Sequence, residues 1–358
     1  MQISRNNNFD LIRVLAALQV VYVHSSKHIL GIKEIQSDGV FYYIHEFIER
    51  LPGVPIFFTV SGFLVFWSLE RNQKNLFKFF KNRFLRVYPG LWMCLIVTVI
   101  LLFTFQAIEL RDFKSSSFYL WLIGQLTIFQ FYTPDFLRDF GVGTPNGSLW
   151  TITVEVQFYL ILPILSLFIL KIKKLSYKNV YLFCLIFISL VFAYLVKIHF
   201  APHTTISKIA NVTVLTYLYN FIFGILIYVN WDFLKKYLIN KSLFWFVFYL
   251  AFVILFYFIL GFYGKGYVPN IFGIISFLLL SILTISAAYS KPNLSFVLRG
   301  NDISYGVYIY HMLVINTLIE LKVNSKLSFV LASVLSILLG LLSWKFIEKK
   351  ALKLKNKW

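Results

Sequence analysis

The chain has 358 residues, of which 59% are hydrophobic, 20% aromatic and only 14% charged, with a net charge of +19. A soluble domain of this length has no means of hiding so much apolar surface, so the composition excludes a soluble globular protein and indicates a polytopic membrane protein. In a soluble chain the excess of Lys and Arg would suggest nucleic acid; here it falls mostly between apolar segments, as expected of basic cytoplasmic loops, and no nucleic-acid partner is expected.

Apolar segments of spanning length are predicted near 9–29, 51–70, 89–107, 149–170, 180–198, 212–230, 243–262, 269–289, 304–322 and 326–347, with a shorter candidate at 118–132. The first contains Arg13 and His24 and ends without a small-residue cleavage pattern, so it reads as a retained helix and not a cleaved signal. Basic stretches at 71–88, 171–178, 231–241 and 345–358 place those segments on the cytoplasmic side. For 71–88 and 171–178 both to lie inside, an even number of crossings must separate them, and 89–107 with 149–170 supply two. Segment 118–132 is therefore expected to be re-entrant or interfacial on the outer side. The expected fold is an all-α bundle of about ten transmembrane helices with both termini cytoplasmic. It forms a single domain over 1–348 with a basic tail at 349–358. The outer loop 108–148, rich in Gly and Pro towards its end, is the natural place for a lid. No internal repeat of the kind found in many secondary transporters is visible. Cys94 and Cys184 sit inside apolar segments with no metal-type spacing, and no metal is expected.

Polar groups at membrane depth are costly and by default mark function. Arg13 and His24 are eleven residues apart, three turns plus ~20°, which puts them on one helix face roughly 16 Å apart. A plainer account is a snorkelling Arg13 paired with Asp10, and a wet interfacial His24. Glu155 enters the fourth span about five residues from its outer end, roughly 7–8 Å deep, where a carboxylate needs a cationic or hydrogen-bonding partner. A structural ion pair would also satisfy it. His311, mid-span in the ninth segment, fits a packing histidine as well as a functional one, and Ser61 with Gly62 fits close helix packing. The stretch LFKFFKNRFLRVYPG, 76–90, reads as an amphipathic helix on the inner surface, attracted to anionic membrane lipid. Arg83 and Arg86, at i and i+3, project from neighbouring positions and can clamp a phosphate.

Together these residues form a pattern. Arg-x10-His on the first helix (Arg13, His24), SGF on the second (Ser61, Gly62), Arg-x-x-Arg (Arg83, Arg86), Trp150 with Glu155, and SYGVYIYH carrying Tyr305 and His311 follow one another in order. The combination resembles the acyltransferase-3 family of integral membrane acyltransferases. The resemblance implies transfer of an acyl group, commonly acetyl, from cytoplasmic acyl-CoA to a hydroxyl of a surface or lipid-linked glycan such as O-antigen or Nod factor. It also implies a multi-pass protein of the bacterial inner membrane. Two departures stand out. Some relatives carry a C-terminal SGNH hydrolase-like domain, which is not expected here, so final transfer is expected within the membrane domain or on a separate partner. Met312 follows His311 where many members have proline, so that helix is expected to be less kinked.

The expected chemistry follows from the donor. A polyanionic CoA nucleotide stays at the inner face near Arg83 and Arg86, and its arm reaches past Arg13 towards His24. His24 then acts as general base or is transiently acylated. Glu155, if it reaches the other ring nitrogen, holds the tautomer and stabilises imidazolium. Asp10, Ser61, Gly62, Trp150, Tyr305 and His311 are supporting residues. Two other classes stay open. A transporter or flippase would use the same Arg, His and Glu as a proton or substrate path. A glycan polymerase would need a lipid-linked oligosaccharide donor and leave the Arg-x-x-Arg surface without work.

Overall fold

The computed structural model describes residues 7–31, 39–72, 75–200, 204–262, 270–298 and 300–356; the last two residues of the expected basic tail lie outside this set. The described chain is all helix and turn, without a strand, as an all-α membrane protein requires. Eight helices are long and apolar enough to cross a membrane: Gly39–Arg71, Leu76–Thr104, Gly147–Lys171, Leu175–His199, Thr205–Val229, Ser242–Ile259, Ile271–Ala288 and Ser325–Lys353. Two further helices coincide with expected spans, Phe9–Ser25 and Ser304–Glu320, and each has 17 residues. That is the short end of the ~17–25 residues needed to cross hydrocarbon.

The chain divides into two compact units. One comprises Met1–Arg13, Val54–Phe79 and Val154–Gly300; the other comprises Val14–Gly53, Phe80–Thr153 and Asn301–Trp358. In the first unit, helices Gly53–Arg71 and Val214–Val229 touch backbone to backbone. A Cβ on Gly62 would lie 2.0 Å from the Phe221 carbonyl oxygen, and one on Gly224 would lie 2.1 Å from that of Thr59. The Phe221 ring fills the adjoining space, stacked between Phe58 and Phe158 with centroids 4.4 and 4.0 Å away. Gly62 is thus a packing residue, as small residues in membrane helices commonly are.

In the second unit, Leu76–Thr104 is one continuous helix of 29 residues with Pro89 inside it. The separate amphipathic surface helix expected over 76–90 is therefore corrected: those residues are the first turns of the spanning helix itself. Proline removes a single backbone donor, which membrane helices tolerate. At 1.5 Å per residue the helix is ~43 Å long against ~30 Å of hydrocarbon, so its basic turns extend beyond the apolar slab.

The loop 108–148 is ordered by burial of its own apolar residues. Ile108, Phe118, Trp121, Leu137 and Phe140 pack with Leu95 and Leu102 of the long helix. The helix Ser116–Leu126 has 11 residues, too few to span. It runs back alongside the long helix until Leu126 and Thr127 accept hydrogen bonds from Trp92 and Tyr88. The chain then reverses, with Gln125 donating to the carbonyl of Gln130 at 3.1 Å. The chain thus turns back on itself beside the long helix.

Candidate active site

His311 is fully buried on helix Ser304–Glu320, and its two ring nitrogens have different partners. Nδ1 contacts the Tyr308 carbonyl oxygen, and Nε2 lies 3.0 Å from His24 Nδ1. A carbonyl can only accept, so Nδ1 of His311 carries the hydrogen. In the neutral ring Nε2 then has the lone pair and accepts from His24 Nδ1–H. The other neighbour of His24 Nδ1, the Met312 sulfur at 3.1 Å, is also an acceptor. Both contacts fix the same tautomer: His24 presents its Nε2 lone pair outward from the pair. Among the described residues no side chain bonds that nitrogen. An imidazole so held can remove a proton or act as a nucleophile, and its conjugate acid would be stabilised through His311.

The turn before His24 also has a fixed entry. Gln19, on the same helix, accepts from Gly53 N at 2.7 Å and donates to the Ile48 carbonyl at 3.0 Å, tying the 48–53 turn to it. Gly53 allows that approach, since a Cβ there would meet the Ala16 carbonyl oxygen at 2.2 Å.

Glu155, in the other unit, accepts from Ser61 Oγ at 3.0 Å and from the Tyr159 hydroxyl, one turn further along its own helix. Both O–H donors reach the same carboxylate oxygen, Oε1, and the Ser61 bond joins helices Gly53–Arg71 and Trp150–Lys171. Trp150 is half-buried at the first position of that helix, just after a 3-10 turn over Gly147–Leu149. Arg13 lies 3.6 Å from Asp10, the i,i+3 pairing of the plainer account.

Arg86 faces inward. Its guanidinium pairs with Asp302, lies 3.8 Å from Glu348, and stands 5.9 Å from the centroid of the Tyr305 ring. Tyr305 in turn donates to the Val87 carbonyl at 2.8 Å. Arg83 is half-buried one turn earlier on the same helix. Among the described residues no cluster of three or more His, Cys, Asp or Glu side chains is arranged to hold a metal.

The end of the loop 108–148 is strapped to the helix that carries His311. Asn316, fully buried, donates to the carbonyls of Thr144 and Pro145, both at 2.9 Å, and accepts from Val142 N at 3.1 Å. Glu320 accepts from Gly141 N at 2.7 Å. Asn146 donates to the Ile309 carbonyl at 2.8 Å, and the Tyr308 hydroxyl donates to that of Ser148 at 3.0 Å. Gly141 has φ +58° and sits where a Cβ would meet Asn316 Oδ1 at 2.3 Å, so only glycine fits on both counts.

Against known families, residues 6–345 match the model described as "Acyltransferase domain". The chain belongs to the acyltransferase-3 family. It is 30% identical to Nodulation protein 10 of Rhizobium leguminosarum bv. viciae, over 98% of this chain and 94% of that one. It is 27% identical to the O-acetyltransferase OatA of Staphylococcus aureus strain NCTC 8325 / PS 47, over 83% of this chain and 51% of the relative. It is 32% identical to the peptidoglycan O-acetyltransferase OatA of Listeria monocytogenes serovar 1/2a, over 34% and 20% respectively. The chain thus spans about half or less of the two OatA relatives. No solved structure matches it.

Each residue singled out from this acyltransferase's sequence lies among those described, but their partners differ in how far sequence foretold them. Arg13–Asp10 and Glu155–Tyr159 follow from helical spacing. The pairing of His24 with His311, and the roles of Asp302, Glu348, Asn146 and Asn316, have no local signal. They depend on segments brought together by folding.

Proposed function

We propose that this membrane acyltransferase is an O-acetyltransferase of the bacterial inner membrane, acting through one domain over residues 1–348 with ten spans and cytoplasmic termini. It takes an acyl group, acetyl foremost, from cytoplasmic acyl-CoA and places it on a hydroxyl of a surface or lipid-linked glycan. What supports the acetyl group and the glycan is the likeness to proteins named as O-acetyltransferases, one of them acting on peptidoglycan. The observation that carries the reading is the His24–His311 pair, with His24 Nδ1 held and its Nε2 open.

In this reading His24 Nε2 takes the proton of the acceptor hydroxyl as its oxygen attacks the thioester carbonyl. A C–O bond forms, the C–S bond breaks, and the proton passes from Nε2 to the departing CoA sulfur. While His24 is charged, its Nδ1–H bond to His311 becomes charge-assisted and stronger. His311 takes the orienting part that a carboxylate has in hydrolase triads. Glu155, held by Ser61 and Tyr159, is proposed as a second catalytic residue. Arg83, with Lys78 and Lys81 on the same basic turns, is proposed to hold the CoA phosphates, and Arg13 to guide the arm along the first helix towards His24.

The test is purified protein in detergent with acetyl-CoA and a glycan acceptor, following free thiol, together with mass spectrometry of surface glycan from cells with and without the gene. Thiol release and a gain of one acetyl unit per modified sugar support the reading. Solute movement without thiol release would instead make the chain a transporter. An acetyl-imidazole at His24, trapped by acid quench, would replace the base with a covalent relay.

A further inference from the structure

We infer that Arg86 is a positioning residue for the acyl-transfer step and not a ligand of the donor phosphates. The inference rests on the acyl-CoA reading above. Arg86 sits at the centre of a knot that joins three helices of one unit. One branch of its guanidinium pairs with Asp302, and the other lies 3.8 Å from Glu348. Asp302 also accepts from Ser304 N at 3.3 Å and Ser304 Oγ at 2.5 Å, and so tethers the first residue of the helix that carries His311. Glu348 accepts from Ser343 Oγ at 2.9 Å, at the end of the next helix.

Close approach of these helices depends on glycine. A Cβ on Gly306 would lie 2.8 Å from Gly340 Cα, and one on Gly90 would lie 2.9 Å from the Tyr305 ring. Nothing larger than glycine leaves room for the helices to meet where the charges meet.

The electrostatics decide Arg86's part. The side chains of Asp302 and Glu348 are 8% and 2% exposed, and that of Arg86 is 17% exposed. Two buried carboxylates share this guanidinium. If Arg86 turned away to grip a phosphate, two buried carboxyl groups would remain side by side in a low-dielectric site without their counter-charge. A phosphate would have to outbid both of them. Held where it is, Arg86 fixes the tilt of helix Ser304–Glu320 at its first turn. His311 is seven residues on, two turns or roughly 10 Å. A rigid helix carries a displacement at that turn to the His311–His24 bond, and a misplacement of about 1 Å can cost ~100-fold in rate.

The experiment compares wild type, Arg86→Met, and the triple variant Arg86→Met/Asp302→Asn/Glu348→Gln, purified in detergent. Turnover and KM for acetyl-CoA are read by thiol release, and stability by thermal melting. The triple variant removes all three charges while the amide oxygen of Asn at 302 can still accept from Ser304. We expect Arg86→Met to lose 100-fold or more in kcat with KM for acetyl-CoA within threefold, and to melt below wild type. The triple variant should recover to within tenfold of wild-type kcat and to its melting temperature. A triple variant as inactive as the single one, or with KM raised tenfold or more, overturns the assignment. If Arg86→Met does not fold, the triple variant decides alone: folded and active supports the inference, whereas unfolded, or folded without acetyl-CoA affinity, overturns it. Wild type that releases no thiol counts against the donor reading instead. The melting order then still decides the knot, and a triple variant no more stable than the single one overturns it.

Discussion

His311 Nε2 stands 3.0 Å from His24 Nδ1, although 287 residues separate them in the chain. Because the Tyr308 carbonyl occupies the far nitrogen of His311, this contact sets which nitrogen of His24 is free. His24→Ala should abolish acyl transfer. His311→Ala should lower kcat by ~100-fold or more with little change in KM for the donor, since general-base catalysis is typically worth 10²–10⁴. His311→Gln should retain part of that loss, because its amide oxygen can accept from His24 Nδ1–H. The double variant His24→Ala/His311→Ala should be no worse than His24→Ala, as residues acting as one unit are non-additive. Steady-state thiol release checks all four, and full turnover in His24→Ala would remove the assignment.

Glu155→Gln leaves an amide oxygen to accept from Ser61 and Tyr159, so the fold should survive. Turnover should nonetheless fall by ~10- to 100-fold at unchanged donor affinity, the loss expected of a catalytic carboxylate made neutral. A cycle with His24→Ala separates roles. Loss of melting temperature with turnover intact would make Glu155 a purely structural bridge between two helices.

Asn316→Leu should release the outer loop. It strands three polar backbone groups, on Val142, Thr144 and Pro145, and should cost about 2–4 kcal/mol. Gly141→Ala should act in the same direction, through a positive φ and a clash with the Asn316 side chain. Limited proteolysis within 127–149, faster in both variants than in wild type, is the measurement. Equal cleavage rates would mean that the strap is not held by Asn316.

Gly62→Ala and Gly224→Ala should each lower stability by about 1–3 kcal/mol, because either methyl group drives into a carbonyl oxygen and the helix backbones must part. Ser61→Ala is the control. It removes a single hydrogen bond to Glu155 and should cost no more than about 1.5 kcal/mol. Denaturant melts in mild detergent compare the three.

Topology is open to a direct check. A cysteine at Gly143 should react with an impermeant reagent from outside, and one after Lys174 only once the membrane is opened. Protection of position 143 in intact cells would make 118–132 a true crossing.

Composition alone decided that this chain lives in a membrane, because no other solvent accommodates so apolar a sequence. Basic loops then constrained the path strongly enough to assign 118–132 to one side, and the 11-residue helix Ser116–Leu126 has the length that assignment needs. Short-range chemistry was legible in part: Asp10 and Arg13 are neighbours on a helix by arithmetic, whereas the Tyr159 partner of Glu155 was not named although it lies at the same kind of spacing. Spacing also showed that Arg83 and Arg86 lie on adjacent turns, but not which way Arg86 turns. That choice was made by Asp302 and Glu348, more than 200 residues away, whose burial demands a counter-charge. The same holds for His24. Its sequence marks a histidine at membrane depth, whereas its tautomer depends on His311 and the Tyr308 carbonyl. A hydrogen bond selects a ring nitrogen through geometry of a few tenths of an ångström, and only folding supplies that.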